Sequence, residues 1–274
     1  MTDARSELRR TLAERFGEDI SVPQDLQGLE GLLRIATHAT HRDWDDRPVG
    51  PDLVRLLAAV AFCAPSKSFL QQSDLIHVRD PGLREAVVSL VPSMPWMSRA
   101  PALLVVCGNG RRLRRIFERR GMPFANEHLD AFFNPAVDAA LVLMNLIRAA
   151  EEAGLACCPI SLLRDRPQRL AELLGMPDHV FPVAGLCLGY PAQRRAPNPR
   201  LALAGTLHTD RFDDRGIDPT LDDFDRRYVA GRAAFAAPGA PPPQTWSDER
   251  ARQYATPQRP GWGAFVRSRG FDPT

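Results

Sequence analysis

Apolar positions along the chain fall into short continuous or alternating runs separated by longer stretches at helical spacing, and this pattern predicts alternating strands and helices. Strands are predicted at residues 74–79, 101–107, 155–160 and 183–189, with helices between them. The longest predicted helix spans 134–152. Val137, Leu141, Met144 and Ile147 recur there at three- or four-residue spacing, and Leu143 and Leu146 carry the apolar character round the cylinder. Gly154 ends it, and a central, largely buried helix is expected. A shorter helix over 166–174 stops at Gly175-Met176-Pro177. Residues 1–20 read as a charged helix and 22–31 as a connector into a second helix ending near Ala36, with helical periodicity resuming at Pro51. After Pro191 the character changes: Pro197, Pro199 and the proline tract over 236–243 predict a loop-rich carboxyl-terminal arm. Such an arm has no core of its own and must lie on another surface.

At 274 residues and 44% hydrophobic, the chain is long and apolar enough for a sizeable globular core. The 35 basic and 33 acidic residues nearly cancel to a net charge of +2, which argues against a nucleic-acid surface. The basic run Arg111-Arg112-Leu113-Arg114-Arg115 is followed by Glu118 and fits an exposed helix face. Five cysteines, at 63, 107, 157, 158 and 187, lie mostly in apolar stretches and read as small core residues of a reducing compartment. There is no CxxC pair, and His38 and His41 could share a helix face but have no partner cluster, so no metal site is expected. No apolar signal core and no run of membrane-spanning length is read, so the cytoplasm is the expected location, with no membrane partner.

Two familiar chemistries find little support. The strand through Val106 runs into Gly108-Asn109-Gly110 and a basic helix, but Leu113 stands where a dinucleotide fingerprint needs its third glycine. No GxSxG occurs, and the scattered histidines assemble no triad. The acidic pairs Asp45-Asp46, Asp213-Asp214 and Asp222-Asp223 read as turn and solvated-helix residues.

Of the 35 basic residues only Lys67 is a lysine, and it sits in Ala64-Pro65-Ser66-Lys67-Ser68-Phe69-Leu70-Gln71-Gln72-Ser73. This loop lies between a helix and a strand, so it is either an anion-holding turn with rotatable donors or a plain solvated turn.

Four segments in order, over residues 30–205, carry a resemblance to a known family. They are His38-Ala39-Thr40-His41-Arg42-Asp43-Trp44; Ser66-Lys67-Ser68-Phe69-Leu70-Gln71; Val137-Asp138-Ala139-Ala140 with Gly154-Leu155 and Ile160-Ser161-Leu162-Leu163-Arg164; and Gly185-Leu186-Cys187-Leu188-Gly189-Tyr190-Pro191 with Pro199-Arg200-Leu201. Together they resemble the FMN-dependent nitroreductase family, in particular its NADPH-dependent oxygen-insensitive nitroreductase and flavin reductase branch. The resemblance implies an α+β fold with a central mixed, mainly antiparallel sheet flanked by helices, a homodimer, and FMN at the subunit interface. It divides the chain into a helical extension (1–30), an FMN-binding domain (31–205) and an arm (206–274) that packs on the core or on the partner subunit. It implies that His38, Thr40 and Arg42 line the flavin phosphate and pyrimidine end, that Ser66 and Ser68 donate from the second loop, and that Arg200 holds the phosphate. Ile160, Ser161 and Leu162 would border the flavin, the last two offering backbone amides to its N5 edge. The partners are then a reduced nicotinamide, NADPH or NADH, and a small electrophilic acceptor.

Such chemistry needs no side-chain nucleophile, because the cofactor carries the hydride while the protein supplies position and field. Three positions depart from the family pattern. Ser161-Leu162 replaces a glycine pair, Asn198 replaces a lysine for which Lys67 could substitute, and Met94, in Met94-Pro95-Trp96-Met97, replaces a glutamine. The last segment reads as core or as a pocket wall. Other flavin reactions on the same scaffold, reductive dehalogenation or flavin breakdown, and a flavin-binding regulatory module remain alternatives.

Overall fold

The computed structural model of the chain describes residues 3–234 and 241–272 and divides into two compact units, residues 40–195 with 259–274 and residues 1–39 with 196–258.

The larger unit is built on four strands, β1 (Ser73–His77), β2 (Ala102–Asn109), β3 (Ala156–Ile160) and β4 (Val180–Gly189). They lie in the order β1-β2-β4-β3, every adjacent pair antiparallel. The expected mixture is therefore absent among the described residues, and so is the parallel crossover that a dinucleotide fold requires. The alternation along β2 sets the two faces. Leu103, Val105 and Cys107 look into one cluster, with Cys158, Ile160 and Phe181, while Ala102 and Leu104 look into the other, with Cys157, Leu186 and Leu188. The first face is covered by α4 (Pro81–Ser89), α7 (Pro167–Leu173) and α10 (Trp262–Ser268), the second by α3 (Pro51–Ala61) and α6 (Asp130–Glu152). Met97 is fully buried in the first cluster with Met94 and Trp96 packed against it, so the methionine-rich segment is core. Glycine is required at 108, where a Cβ would stand 2.4 Å from the Phe181 ring.

The long helix differs from expectation in two ways. It starts one turn early, at Asp130, with Pro135 inside it, because Ala131 and Phe132 already pack on the first core cluster. It is also not buried all round. Asp138, Ala139, Val142, Leu146 and Ala150 face inward, but Phe133 (56% exposed), Val137, Leu141 and Met144 (47%) leave an apolar stripe open. By length and composition this 23-residue helix could cross a membrane, contrary to the sequence reading, yet its inner face is spent on the sheet and α3. Gly154, at φ 81°, closes it as expected, with Leu155 N–H donating to Ala150 O at 2.9 Å.

The basic run opens α5 (Arg111–Arg120), but its face is not wholly exposed: Arg114 is buried and paired with Glu127. Cys63 is exposed, against the core reading, while the other four cysteines are buried. Burial lifts the thiols of Cys107 and Cys187 to about 12, so neither is a nucleophile.

The smaller unit contains α1 (Ala4–Phe16), α2 (Leu29–Ala36), α8 (Ile217–Ala233) and α9 (Trp246–Tyr254). Gly17, at φ 72°, terminates α1. Phe224 on α8 meets the Trp246 ring edge-on at 5.3 Å. The carboxyl-terminal segment holds three helices that the sequence reading did not give, α8, α9 and α10, joined by irregular chain. Of the proline tract, residues 236–240 lie outside the described residues, and 241–243 have no regular structure.

Candidate functional site

Two groups of the expected site residues stand at opposite edges of the larger unit's sheet, which β1 and β3 form.

At the β1 edge, residues 66–72 wrap around one buried carboxylate. Asp138, on α6 and 2% exposed, accepts from Ser66 Oγ at 2.7 Å, from Lys67 N–H at 3.0 Å and from Gln72 N–H at 3.0 Å. Ser66 Oγ in turn accepts from Gln71 N–H at 2.6 Å. The Ser66 hydroxyl proton is committed to Asp138, so this serine organises the loop from within. Ser68, Phe69 and Gln71 adopt positive φ values of 50°, 58° and 51°. Three left-handed non-glycine residues in one short loop store strain that a surrounding network must hold, a hallmark of binding loops. Lys67 and Ser68 are exposed, and Phe69 is 83% exposed. Beside the loop lies a cavity of about 480 Å³ with Phe62, Ser66, Phe69, Asp74, Arg112 and Asp138 in its wall. Arg112 bridges Asp74, at 2.5 Å, and the Gln71 carbonyl, tying the loop to β1.

At the β3 edge the chain over 40–45 is laid along the outer strand. His41 N–H donates to Cys157 O at 3.0 Å, Trp44 Nε1 to Ala156 O at 3.1 Å and Asp45 N–H to Tyr190 O at 2.9 Å. His41 is buried and accepts from Arg195 N–H at 3.1 Å, so it belongs to this clamp; residues 38–41 are not helical. The clamp sets Thr40, half-buried, and Arg42, exposed, on either side of His41. The Arg42 guanidinium lies 5.9 Å from the Trp96 ring centre, and its charge opposes the burial that raises the Cys158 thiol's pKa. Among the described residues Arg42 meets no carboxylate.

Beyond β3 the chain enters a 3-10 turn, Leu162–Asp165, with Ser161 immediately before it. The side chain of Ile160 is core, leaving only its backbone at this edge. A Cβ at Gly185 would come within 2.5 Å of Leu163, so glycine on β4 lets the turn seat closely. Arg259 Nη2 donates to Ser161 Oγ at 3.2 Å, and its Nε lies 2.8 Å from Asp165. Arg164 stacks over Trp262 at 5.4 Å and keeps a buried Nε without a partner. Burial first, then the neighbouring Arg259, lowers the Arg164 pKa. Two arginines share one exposed carboxylate beside Ser161, a field that favours an anion.

His38 and Arg200 belong to the smaller unit. His38 is half-buried, and its N–H donates to Ile35 O at 3.3 Å. Arg200 is exposed; its N–H donates to Arg15 O at 2.6 Å and its carbonyl accepts from Arg227 Nη2 at 3.0 Å.

Sequence reasoning gave no role to Asp138, Arg112 or Arg259. Asp138 did leave a signal: a lone acid among apolar positions of a helix must find donors if it is buried.

The nitroreductase family model matches residues 35–190, and the model for the carboxyl-terminal domain of that family matches 198–274. The chain is 32% identical over 186 residues to the FMN reductase [NAD(P)H] of Bacillus subtilis, covering 67% of this chain and 74% of the relative. It is 29% identical over 239 residues to the oxygen-insensitive NADPH nitroreductase of Salmonella typhimurium, covering 86% and 96%. The solved structure of NfrA2 from B. megaterium superposes with a TM-score of 0.84 at 28% identity, covering 89% of this chain and 99% of that one.

Proposed function

The chain belongs to the nitroreductase family, and from that premise we propose an FMN-dependent oxidoreductase that passes hydride from a reduced nicotinamide to an electrophilic acceptor, a nitroaromatic, quinone or free flavin. The observation that carries this reading is the β3 edge, where carboxylate-free Arg42 is clamped to the same strand that presents the Ser161-Leu162 turn.

The residues present suit this cofactor. A phosphate dianion calls for guanidinium groups free of carboxylates, and Arg42 and Arg200 qualify among the described residues. FMN, when bound, supplies two-electron chemistry that side chains lack. In the larger unit Arg42 and Thr40 would hold its phosphate; the family resemblance assigns the same group to Arg200 and His38 of the smaller unit. The Ser161 and Leu162 amides donate to its redox-active edge, and Arg164 and Arg259 add positive potential there. The Asp138-centred loop fixes Lys67 and Ser68 as further donors and presents Phe69 as an aromatic wall that excludes water.

We further propose that the working form is a cytoplasmic homodimer. The stripe of Phe133, Val137, Leu141 and Met144 on α6, with Leu56 and Val60 on α3, is an exposed apolar face of the kind a partner covers. A two-fold partner sets the Ser66 loop of one protomer against the Arg42 edge of the other, which accounts for cofactor residues at opposite sheet edges. Five free cysteines suit a reducing compartment.

Anaerobic mixing of the purified yellow protein with NADPH, and separately with NADH, tests this reading. Bleaching of the flavin by either nicotinamide and its return on adding a nitroaromatic or quinone are expected. A yellow protein indifferent to both favours a flavin-binding module, and one that takes up no FMN ends the proposal.

A further inference from the structure

The smaller unit holds a cavity of its own, about 430 Å³, within the roughly 300–1,000 Å³ of small-molecule sites. Leu8, Leu12, Phe16, Leu26, Leu32 and Ile35 make it apolar, and Arg15 and Arg200 stand among them. Most of this wall precedes residue 35, where the match to the nitroreductase family begins, so the flavin reading does not account for it.

Arg15 is the unusual member. It is 7% exposed, its Nη1 donates to the carbonyls of Ala36 and His38, and its Nε is buried with no partner. No carboxylate meets it or Arg200 among the described residues. Burial and the charge of Arg200 both lower its pKa, as expected of a cation without a counter-ion. An uncompensated buried guanidinium is costly, and its idle N–H adds to that cost. A ligand combining one anionic oxygen pair with a hydrocarbon chain satisfies the donor, the charge and the apolar wall together.

We propose that this cavity binds an amphiphilic monoanion, a medium-chain fatty carboxylate, with its head group at Arg15 and its chain among Leu8, Leu12, Leu26 and Ile35. The head group is assigned to Arg15 alone; Arg200, which the proposed function gives to the flavin phosphate, only borders the cavity.

Calorimetric titration of the purified protein with sodium decanoate, and in parallel with decanol, tests the proposal. Saturable binding of one decanoate per chain is expected, with decanol at least tenfold weaker. Leu32→Glu and Ile35→Glu, at exposed rim positions that tolerate charge, each weaken decanoate at least tenfold and leave FMN content unchanged. Absence of saturable binding, equal affinity for decanol, or undiminished binding by both folded variants overturns it. Displacement of FMN by decanoate also overturns it, by assigning the anion to the flavin site. A protein that binds decanoate but no FMN supports this inference while ending the oxidoreductase reading.

Discussion

Ser66 and Asp138 are 72 residues apart in the chain and 2.7 Å apart in space, and their hydrogen bond turns a strained loop into a fixed one. Asp138→Asn removes the charge that three donors share. Hydrogen bonds to a charged acceptor contribute about 1.5–3 kcal/mol each, with strong coupling inside one network. A loss of about 2–3 kcal/mol is expected in urea unfolding, with weaker FMN retention. Unchanged stability would mean that the loop holds its left-handed residues by other means.

Arg42 separates charge from geometry. Arg42→Ala is expected to weaken FMN binding by about 10- to 100-fold, the equivalent of one charge-assisted contact of roughly 1.5–3 kcal/mol. Arg42→Lys keeps the charge but loses the planar fork and falls between the two. Quenching of free FMN fluorescence on titration with apoprotein measures all three. Equal affinities would place the phosphate elsewhere.

The open stripe of α6 predicts a designed monomer. Leu141→Glu combined with Met144→Glu puts two charges on a face that is already solvent-exposed in one protomer, so the fold is expected to survive. Sedimentation should report a monomer, and flavin content should fall with the partner's contribution. A dimeric, fully yellow double variant would remove this face from the interface.

The histidines set the acid side of stability. Burial first, then Arg79 and Arg84, holds the His77 pKa below its ordinary 6.5, and His179 is lowered chiefly by burial as well. The unfolded chain therefore binds protons that the folded chain refuses, so stability rises with pH across this window and is lost on acidification below about pH 6.5. Midpoints of urea unfolding from about pH 7 to 5 should fall, and His77→Gln should flatten the decline, leaving the part due to His179. A decline as steep in the variant as in the parent would assign the loss to other groups.

Much of this was legible in the chain. The four strands announce themselves because β2 and β4 are almost uniformly apolar and bounded by glycine or proline, and the helix over 167–173 because Gly175 stops it. What failed was burial. Phe133, Val137, Leu141 and Met144 have the spacing of a core face, and nothing in their identity distinguishes a face packed on a sheet from one left for a partner. Of the three helices beyond residue 206, α8 does carry a helical period, Ile217, Leu221, Phe224 and Tyr228, which the proline-rich composition around it masked, while α9 and α10 are too short to show one. The site was readable as segments but not as contacts: Ser66 could be seen as a donor, yet its partner lies far along the chain.

Phe265, Val266 and Phe271 pack against Phe181 and other core residues of a unit whose remaining parts end at residue 195. During synthesis the sheet must therefore wait, with the part of that face that α10 covers still open, while the ribosome makes all of 196–258 for the other unit. The two units cannot mature one after the other as beads on a string, and a nascent chain stalled before Trp262 would offer chaperones an unfinished hydrophobic surface.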